Sequence, residues 1–294
     1  MNKILVTGGK GMVGKHLQKI LPDAIYTGSD IDLRDWTSVV SLFEDIKPTH
    51  VIHLAAKVGG IQDNIARPAE YFDDNILMNT NTLKASRLYN VKKFVGILST
   101  CIYPDIVEKY PMTEKDLFLG PPAATNFSYG YAKRCLAVQI DAYNKQYGTE
   151  YNYLIPCNLY SELDNFEHGA KMHFITALLK KIKESNGTLN LLGTGKPLRQ
   201  FMYAGDLSRI IKEVIDKDIK ENFNVAPDYN YSINEMAKMA LDGLDKKYNI
   251  VYSKPELDGQ YRKDVSSKKL MGILPNFEFT SLKKGIKKVY GKIN

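Results

Sequence analysis

Two side chains suited to acid–base chemistry, Tyr129 and Lys133, lie four residues apart in a segment with helical spacing. Residues i and i+4 share one face of a helix at about 5–6 Å, so the ammonium of Lys133 is expected near the phenol of Tyr129. A nearby cation lowers the pKa of a phenol, which can then serve as a general acid or base. The pair suits the reduction of a ketone, although this spacing also occurs by chance on helix surfaces.

A hydroxyl and a thiol, those of Ser99 and Cys101, follow a predicted strand. If the chain stays extended there, both side chains point to the same side of the strand. Ser99 can then donate a hydrogen bond to a carbonyl oxygen beside Tyr129, and Cys101 can act as a base on the neighbouring carbon if its thiolate is accessible. A small buried cysteine without a chemical role is the alternative.

A glycine turn stands near the start of the chain, between an apolar predicted strand and a segment with helical spacing. Its glycines are Gly8, Gly11 and Gly14. Glycines in this context let the backbone approach a pyrophosphate, and the helix N-terminus offers free amides and a partial positive charge. The first gap is one residue wider than in the dehydrogenase pattern, so a plain structural turn is the alternative.

The elements that position these residues alternate between strands and helices. The first half predicts strands at residues 3–7, 24–27, 50–56, 92–98 and 151–156, and helices at 36–46, 71–89 and 129–147. Such alternation requires parallel pairing with helices on both faces, and ligands bind beyond the carboxyl ends of the strands. We therefore predict an α/β fold, a Rossmann-type doubly wound parallel sheet with a smaller C-terminal α/β substrate lobe.

The second half predicts a lobe over this edge of the sheet. The dinucleotide-binding domain is expected at residues 1–160 and about 203–230, and the substrate-binding lobe at about 161–202 and 231–294. Asp206 is expected to cap a helix that runs through Val214. Ser232 and Glu235 match a capping box for the helix that follows them.

The composition is that of an ordinary globular protein of 294 residues. The net charge of +7 comes from scattered lysines without an aromatic-interleaved basic ribbon, which disfavours nucleic acid as a partner. No run of about 18 apolar residues and no signal-peptide pattern occur, so we expect a cytoplasmic protein with no membrane partner. Three unclustered cysteines fit neither a disulfide framework nor a metal site.

Five motifs together resemble the GDP-L-fucose synthase family of extended short-chain dehydrogenase/reductases over nearly the whole chain. They are Thr7-Gly8-x-x-Gly11-x-x-Gly14, residues 55–60 (AAKVGG), residues 99–104 (STCIYP), Tyr129-x-x-x-Lys133 and residues 156–160 (PCNLY). The second and third are the most specific, because the glycine motif and the Tyr–Lys pair occur throughout the superfamily. The resemblance implies a 3,5-epimerase and 4-reductase of GDP-4-keto-6-deoxymannose.

The same resemblance implies catalytic roles. Ser99, Tyr129 and Lys133 would form the reductase triad, in which Tyr129 protonates the C4 oxygen as hydride arrives from the nicotinamide. Cys101 would be the epimerisation base, and His173 the acid that returns a proton from the opposite face. A 4,6-dehydratase would carry an acidic pair in place of Cys101 and the residue after it, and a UDP-sugar 4-epimerase needs no such base and acid together.

NADPH is the expected cofactor. The second predicted strand ends without the carboxylate that binds the ribose of NAD, although Asp30 lies close enough to leave the choice open. Lys10 stands where the family has a basic residue near the 2′-phosphate. By resemblance the cofactor contacts are Gly8, Lys10, Gly11, Met12, Val13, Gly14, Asp32, Leu33, Ala55, Ala56, Lys57, Tyr129 and Lys133.

A GDP-4-keto sugar is the expected substrate, with contacts that the resemblance assigns to Asn158, Leu159, Lys181 and Arg199. A guanidinium suits bidentate binding of phosphate. This chain departs from the usual family residues at four positions, which are Ser161 for glycine, Lys181 for arginine, Leu192 for tryptophan and Gln200 for glutamate. A different GDP-4-keto sugar, such as a heptose, with reduction alone or with fewer inverted carbons, therefore stays open.

The predicted helices at 71–89 and 129–147 resemble the pair that forms a four-helix dimer interface in this superfamily, so we expect a homodimer. A non-catalytic regulator that keeps the dinucleotide fold is the alternative from another class. Such proteins tend to lose the glycines or the Tyr–Lys pair, and this chain retains both.

Overall fold

A computed structural model describes residues 2–164, 166, 173–255, 258 and 260–293. The strands in these ranges are β1 (Ile4–Thr7), β2 (Ile25–Tyr26), β3 (His50–His53), β4 (Lys93–Ile97), β5 (Asn152–Pro156), β6 (Asn158–Tyr160), β7 (Thr188–Leu192), β8 (Leu198–Arg199), β9 (Phe201–Tyr203), β10 (Phe223–Val225), β11 (Tyr231–Ser232), β12 (Asn249–Ser253) and β13 (Arg262–Lys263). The helices are α1 (Met12–Ile20), α2 (Trp36–Ile46), α3 (Ile61–Ala66), α4 (Pro68–Leu88), α5 (Phe127–Tyr147), α6 (Phe174–Glu184), α7 (Ala204–Asp216), α8 (Ile233–Gly243), α9 (Lys268–Ile273) and α10 (Leu282–Tyr290).

One six-stranded sheet with the order β10-β5-β4-β3-β1-β2 forms the centre of the fold. Each neighbouring pair is parallel, and β1 pairs with β3 from Ile4 opposite His50 to Thr7 opposite His53. The chain places β2 on one side of β1 and β3 on the other. The strand order therefore reverses between β1 and β3, and doubly wound sheets bind ligands at such a switch point. The predicted Rossmann-type fold is confirmed.

Burial on both faces explains why the strands are continuous apolar runs. All five residues of β4 are buried, and the main core includes Val6, Val51, Val95 and Leu154 from adjacent strands. On α2 the buried residues Val39, Leu42, Phe43 and Ile46 recur at helical spacing. The carboxylate of Asp35 accepts a 2.7 Å hydrogen bond from the backbone N–H of Ser38 and caps this helix.

A second hydrophobic core lies among α6, α8, α10 and β7, with members such as Ile175, Leu189, Met236 and Ile286. Small sheets accompany it: β8 lies between β11 and β13, β7 pairs with β12, and β6 pairs with β9. The predicted domain limits stay our proposal. Within the predicted lobe, residues 165, 167–172, 256–257, 259 and 294 lie outside the described part of the chain.

Local capping was predicted with mixed success. The capping box is confirmed, because Ser232 N–H donates to Glu235 at 2.7 Å and Glu235 N–H donates to Ser232 at 3.1 Å. The prediction for Asp206 is wrong, since α7 has Tyr203 as its N-cap. Asp206 lies three residues later, and its buried carboxylate accepts hydrogen bonds from Thr280 instead. Over the described ranges, no helix is both long enough and apolar enough to cross a membrane.

Candidate active site

One cavity of about 1090 Å³ opens at the carboxyl ends of β1, β3, β4 and β5. It brings together residues from all three predicted groups, those for the cofactor, for catalysis and for the substrate. The lining includes Gly8, Lys10, Gly11, Met12, Val13, Gly14, Asp32, Leu33, Ala55, Ala56, Lys57, Ser99, Cys101, Tyr129, Lys133, Asn158, Leu159, His173, Lys181 and Arg199. The whole predicted set therefore shares one space.

The glycine turn needs its glycines for close approach. Gly8 has a φ of +69°, and a Cβ there would lie 2.7 Å from the backbone nitrogen of Ala55. A Cβ on Gly14 would lie 2.2 Å from the carbonyl oxygen of Gly9. Gly11 is the N-cap of α1 and no side chain caps it, which leaves the first amides of the helix for an anion.

Two charged pairs, Lys10 with Asp30 and Arg34 with Asp32, lie among the predicted cofactor residues. Lys10 Nζ lies 2.8 Å from Asp30 Oδ1, and the same carboxylate oxygen accepts a 3.0 Å hydrogen bond from Gly28 N–H. Asp32 accepts two 2.9 Å hydrogen bonds from Arg34, which lower the pKa of that carboxyl to about 2. Leu33 is buried in the main core. Sequence reasoning missed Arg34, which also lines the cavity.

The ammonium of Lys57 is bound to helix α4, where it lies 2.6 Å from Glu70 and 2.7 Å from Asp74. The side chain of Asn75 bonds both the N–H and the carbonyl oxygen of Lys57, each at 3.1 Å. These contacts fix the loop after β3 along the cavity. A cofactor contact by Lys57 stays a prediction.

The pKa values of Tyr129 and Lys133 differ from those expected from the sequence. Lys133 is 2% exposed and donates a 2.9 Å hydrogen bond to the carbonyl oxygen of Ile97. Burial lowers the pKa of Lys133 to about 8. Burial raises the pKa of Tyr129, the charges of Cys101 and Tyr71 add to this, and a hydrogen bond with Ser99 opposes it. The predicted lowering of the Tyr129 pKa by Lys133 is therefore wrong for this structure, because burial is the largest effect and the neighbouring charges raise the pKa further.

The chain does not stay extended after β4, so the argument from strand alternation was wrong. Residues Thr100–Ile102 form a single 3₁₀ turn, and Ser99 Oγ accepts a 3.3 Å hydrogen bond from Cys101 N–H. Both side chains nevertheless reach the cavity. Burial raises the pKa of Cys101, but Lys263, Ser99 and Arg199 together bring it below its usual value. Sequence reasoning missed Lys263.

His173 is the N-cap residue of α6 and lines the same cavity. Its side chain is 41% exposed, and its Nδ1 lies 3.1 Å from Oδ2 of Asp164, which is 7% exposed. This contact orients the ring with Nδ1 toward the carboxylate. Sequence reasoning missed Asp164, for which the only signal was a carboxylate nine residues before the histidine.

The predicted substrate residues also line the cavity. Asn158 donates a 3.0 Å hydrogen bond to the carbonyl oxygen of Gln200, and Lys181 donates one of 3.2 Å to that of Asn190. Burial lowers the pKa of Arg199, whose Nη1 donates a 2.8 Å hydrogen bond to the carbonyl oxygen of Leu198.

The four departures from the family pattern fall into two pairs. Ser161 and Gln200 are buried, and they bond the ring of His16 and the backbone of Val265 respectively. Lys181 and Leu192 line the cavity, where Leu192 is 50% exposed. Only the second pair is positioned to change the fit of a substrate. Among the described residues, no group of three or more His, Cys, Asp and Glu side chains is arranged to hold a metal ion.

Known proteins resemble this chain in sequence and in fold. The profile of the NAD dependent epimerase/dehydratase family matches residues 4–226. GDP-L-fucose synthase of Dictyostelium discoideum is 38% identical over 298 residues, which cover 97% of this chain and 92% of that protein. The GDP-L-fucose synthetase structure from Naegleria fowleri bound to NADP has a TM-score of 0.88 at 33% identity, covering 99% of this chain and 92% of its own. The GDP-mannoheptose C4 reductase from Campylobacter jejuni with NADP bound has a TM-score of 0.86 at 27% identity, covering 99% and 98%. This chain therefore belongs to the NAD dependent epimerase/dehydratase family and, within it, to the GDP-L-fucose synthase family.

Proposed function

We propose that this protein uses NADPH to reduce the C4 ketone of a GDP-4-keto sugar and couples the reduction to epimerisation at C3 and C5. The observation that carries this proposal is the shared cavity, in which the phenol of Tyr129, the thiol of Cys101 and the imidazole of His173 meet the glycine turn. These groups supply one proton transfer at oxygen and, at each inverted carbon, the removal of one proton and the return of another. The curated relative from Dictyostelium supports the same reaction.

The protein is an NADP-dependent oxidoreductase. Its glycine turn and the uncapped start of α1 fit a pyrophosphate, and Lys10 fits the 2′-phosphate. NADP in the related Naegleria and Campylobacter structures supports this cofactor. When bound, NADPH supplies the hydride that adds to the carbonyl carbon.

Tyr129 provides the proton for the reduction. Its pKa is raised, so the phenol keeps its proton at neutral pH. That proton passes to the C4 oxygen as the carbon gains hydride, while the Ser99 hydroxyl donates a hydrogen bond to the same oxygen. The tyrosinate that remains is stabilised by the positive charge of Lys133, which is one turn further along α5.

Cys101 and His173 provide the epimerisation. The thiolate of Cys101 takes the proton from a carbon next to the ketone, and the C–H electron pair moves to the carbonyl oxygen to give an enolate. His173 then returns a proton to the opposite face of that carbon, which inverts its configuration. Exchange with solvent removes the proton from the sulfur and restores it to the imidazole.

The second candidate is C4 reduction of a GDP-heptose with little or no epimerisation. Two observations favour it: the similarity to the Campylobacter heptose reductase, and the presence of Leu192 and Lys181 in the cavity. A leucine leaves more space than tryptophan for a larger sugar.

A panel of GDP-4-keto sugars distinguishes the two candidates. The purified protein is mixed with NADPH and either GDP-4-keto-6-deoxymannose or a GDP-4-keto-heptose, and NADPH oxidation is followed by absorbance. Turnover in deuterated water followed by mass spectrometry counts the exchanged carbons. Deuterium at C3 and C5 supports the first candidate, whereas reduction of the heptose without exchange supports the second. Absence of NADPH oxidation with every sugar would contradict both.

A homodimer through α4 and α5 belongs to the same proposal. Both helices expose large apolar side chains, among them Phe72 and Leu77 on α4 and Phe127 and Val138 on α5. Light scattering on the purified protein is expected to give a dimer. The variants Phe72→Glu and Val138→Glu are expected to give monomers, whereas Leu119→Glu, which alters an exposed leucine outside both helices, leaves the dimer intact. A wild-type monomer would contradict this part.

The proposed location is the cytoplasm. The three cysteines are free thiols, as expected in a reducing compartment.

A further inference from the structure

A buried lysine from the second lobe contacts the proposed epimerisation base. Nζ of Lys263 lies 2.9 Å from Sγ of Cys101, although 162 residues separate the two in sequence. Lys263 is 7% exposed. It lies on β13, which pairs in parallel with β8, and its partner in the register is Arg199. One short pair of strands therefore carries both a cation at the sulfur and the predicted phosphate ligand.

Among the described residues, no carboxylate contacts the ammonium of Lys263. The neighbouring carboxylate, that of Asp264, is bound to Arg262 through contacts of 2.6 and 3.0 Å. Within the described ranges, Cys101 is the one side chain in hydrogen-bond contact with Nζ of Lys263. A buried cation without an anion is unfavourable, and a thiolate at this distance removes that cost.

We propose that Lys263 is a positioning residue of the active site: its ammonium pairs with the sulfur of Cys101 and holds it as the thiolate that removes the sugar proton. The step that the thiolate performs rests on the proposed function. The pairing itself rests on the contact between the two side chains and on the burial of Lys263.

The other groups around Cys101 act in the same or the opposite direction. Burial favours the neutral thiol, whereas Lys263, the Ser99 hydroxyl and Arg199 favour the thiolate. Tyr129, on α5, faces the same sulfur and is neutral at pH 7 because its pKa is raised. His173, on α6, lines the same cavity. In the part of the chain that the structure describes, Lys263 is the cation in direct contact with the sulfur.

The other two cysteines provide an internal comparison. Burial raises the pKa of Cys157, and it raises that of Cys135, despite smaller opposing effects of Lys263 and Arg134 respectively. Of the three cysteines, Cys101 is the one whose sulfur is in hydrogen-bond contact with a lysine ammonium in the described structure. Selective reactivity of this one thiol near neutral pH is therefore expected.

Alkylation by iodoacetamide tests the pairing without substrate or cofactor. The thiolate displaces iodide to form a thioether, so the rate of modification follows the thiolate fraction at each pH. Peptide mass spectrometry separates Cys101 from the other two cysteines. For the wild type the midpoint is expected below the ordinary thiol value of about 8.5. Removing a contacting charge in Lys263→Met is expected to raise the midpoint by about 1–3 pH units.

Two variants serve as controls. Lys263→Arg keeps the charge and is expected to keep the midpoint near the wild-type value. Lys93→Met removes another buried lysine, which donates to the carbonyl oxygen of Ile219, and is expected to leave the midpoint unchanged. Equal midpoints in the wild type and Lys263→Met would overturn the proposal. If Lys263→Met does not fold, the thiolate absorbance of the wild type minus that of Cys101→Ser is titrated instead, and a midpoint of about 8.5 or above overturns it.

The sugar assay separates this inference from the proposed function. If Lys263→Met shifts the alkylation midpoint and also slows deuterium exchange into the sugar, both proposals are supported. If the midpoint shifts but the wild type exchanges no deuterium, the pairing stands and the role of Cys101 as epimerisation base fails.

Discussion

The ammonium of Lys133 donates its 2.9 Å hydrogen bond to the carbonyl oxygen of Ile97, at the last residue of β4. This contact fixes Lys133 against the floor of the cavity while Tyr129 lies one turn earlier on α5. Burial disfavours the charged form of each group, the phenolate and the ammonium. It therefore raises the pKa of Tyr129 and lowers the pKa of Lys133. Tyr129 consequently keeps its proton at neutral pH and can donate it. Lys133 is the member of the pair that changes its charge near pH 8.

Replacing Tyr129 by phenylalanine tests the proton donor. The variant keeps the ring but loses the hydroxyl that we propose protonates the C4 oxygen, so kcat is expected to fall by about 10²- to 10⁴-fold. NADPH oxidation with the GDP-4-keto sugar measures the change. Tyr131→Phe, two residues along the same helix, is expected to stay near the wild-type rate. Equal rates for both variants would contradict the assignment.

The charge of Lys133 predicts a pH limit. Because burial lowers its pKa to about 8, the free enzyme loses the ammonium as the pH rises through that value. The value of kcat/KM reports groups of the free enzyme, so it is expected to fall about tenfold per pH unit above this point. Lys133→Met is expected to be much slower, with no decline in this range. A wild-type profile that stays flat to pH 10 would contradict the argument.

A buried histidine beneath the glycine turn predicts a loss of stability in acid. The amide oxygen of Asn79 lies 3.0 Å from His53 Nε2 and can only accept, so Nε2 carries the proton and Nδ1 accepts from Thr7 at 2.8 Å. Burial, aided by the charge of Lys133, lowers the pKa of His53 to about 3. The neutral ring therefore contributes its full stability above about pH 6.5, the value in the unfolded chain, and loses it as the pH falls toward 3.

Urea unfolding at two pH values measures this contribution. Between pH 6.5 and 5 the unfolded chain binds the proton and the native protein does not, which is expected to remove about 2 kcal/mol from the free energy of unfolding. His53→Gln is expected to lose most of this pH dependence. His50→Gln, at a partly exposed position on the same strand, is expected to change it less. An unchanged pH dependence in His53→Gln would contradict the argument.

Local sequence was sufficient where a single segment determines its own structure. Helix α2 was predicted at both ends because its apolar residues recur at helical spacing, and β4 was predicted because an apolar run buried on both faces has no other simple interpretation. The glycine turn was recognised by its position between a strand and a helix. The motifs at Ser99 and Tyr129 also located the cavity, because each lies within one short segment of the sequence.

Contacts between distant segments were beyond the sequence. The 3₁₀ turn at Thr100–Ile102 was not predicted, and the lysine that contacts the sulfur of Cys101 lies 162 residues away in sequence. Asp206 looked like a helix cap but accepts hydrogen bonds from Thr280. The pKa of Tyr129 depended on how deeply its helix is buried, which spacing along the chain does not reveal.

The pair formed by Lys10 and Asp30 predicts the cofactor preference. Lys10 is exposed and lies 2.8 Å from Asp30, so it can turn to a 2′-phosphate with little reorganisation. Lys10→Met is expected to raise KM for NADPH by about tenfold, or ~1.4 kcal/mol, and to leave KM for NADH nearly unchanged. Lys19→Met, at an exposed position on α1, serves as the control. A parallel rise for both cofactors would show that Lys10 does not recognise the phosphate.

The contact between His173 and Asp164 predicts a defect confined to epimerisation. With Nδ1 at 3.1 Å from the carboxylate, Nε2 is the nitrogen left to deliver a proton into the cavity. Asp164→Asn keeps the shape but removes the negative charge and one of the two acceptor oxygens that face Nδ1, so the ring is expected to be held less firmly. Since small misplacements of a reacting group are costly, deuterium incorporation at the inverted carbon should fall by about 10- to 100-fold. Reduction by Tyr129 does not use this ring. In Asp164→Asn, hydride transfer to a 4-keto sugar that needs no inversion should therefore stay near the wild-type rate. The control Asp228→Asn, at an exposed position, should keep both activities near the wild-type rate. Equal losses of exchange and of hydride transfer in Asp164→Asn would instead mean that Asp164 supports the shape of the whole cavity.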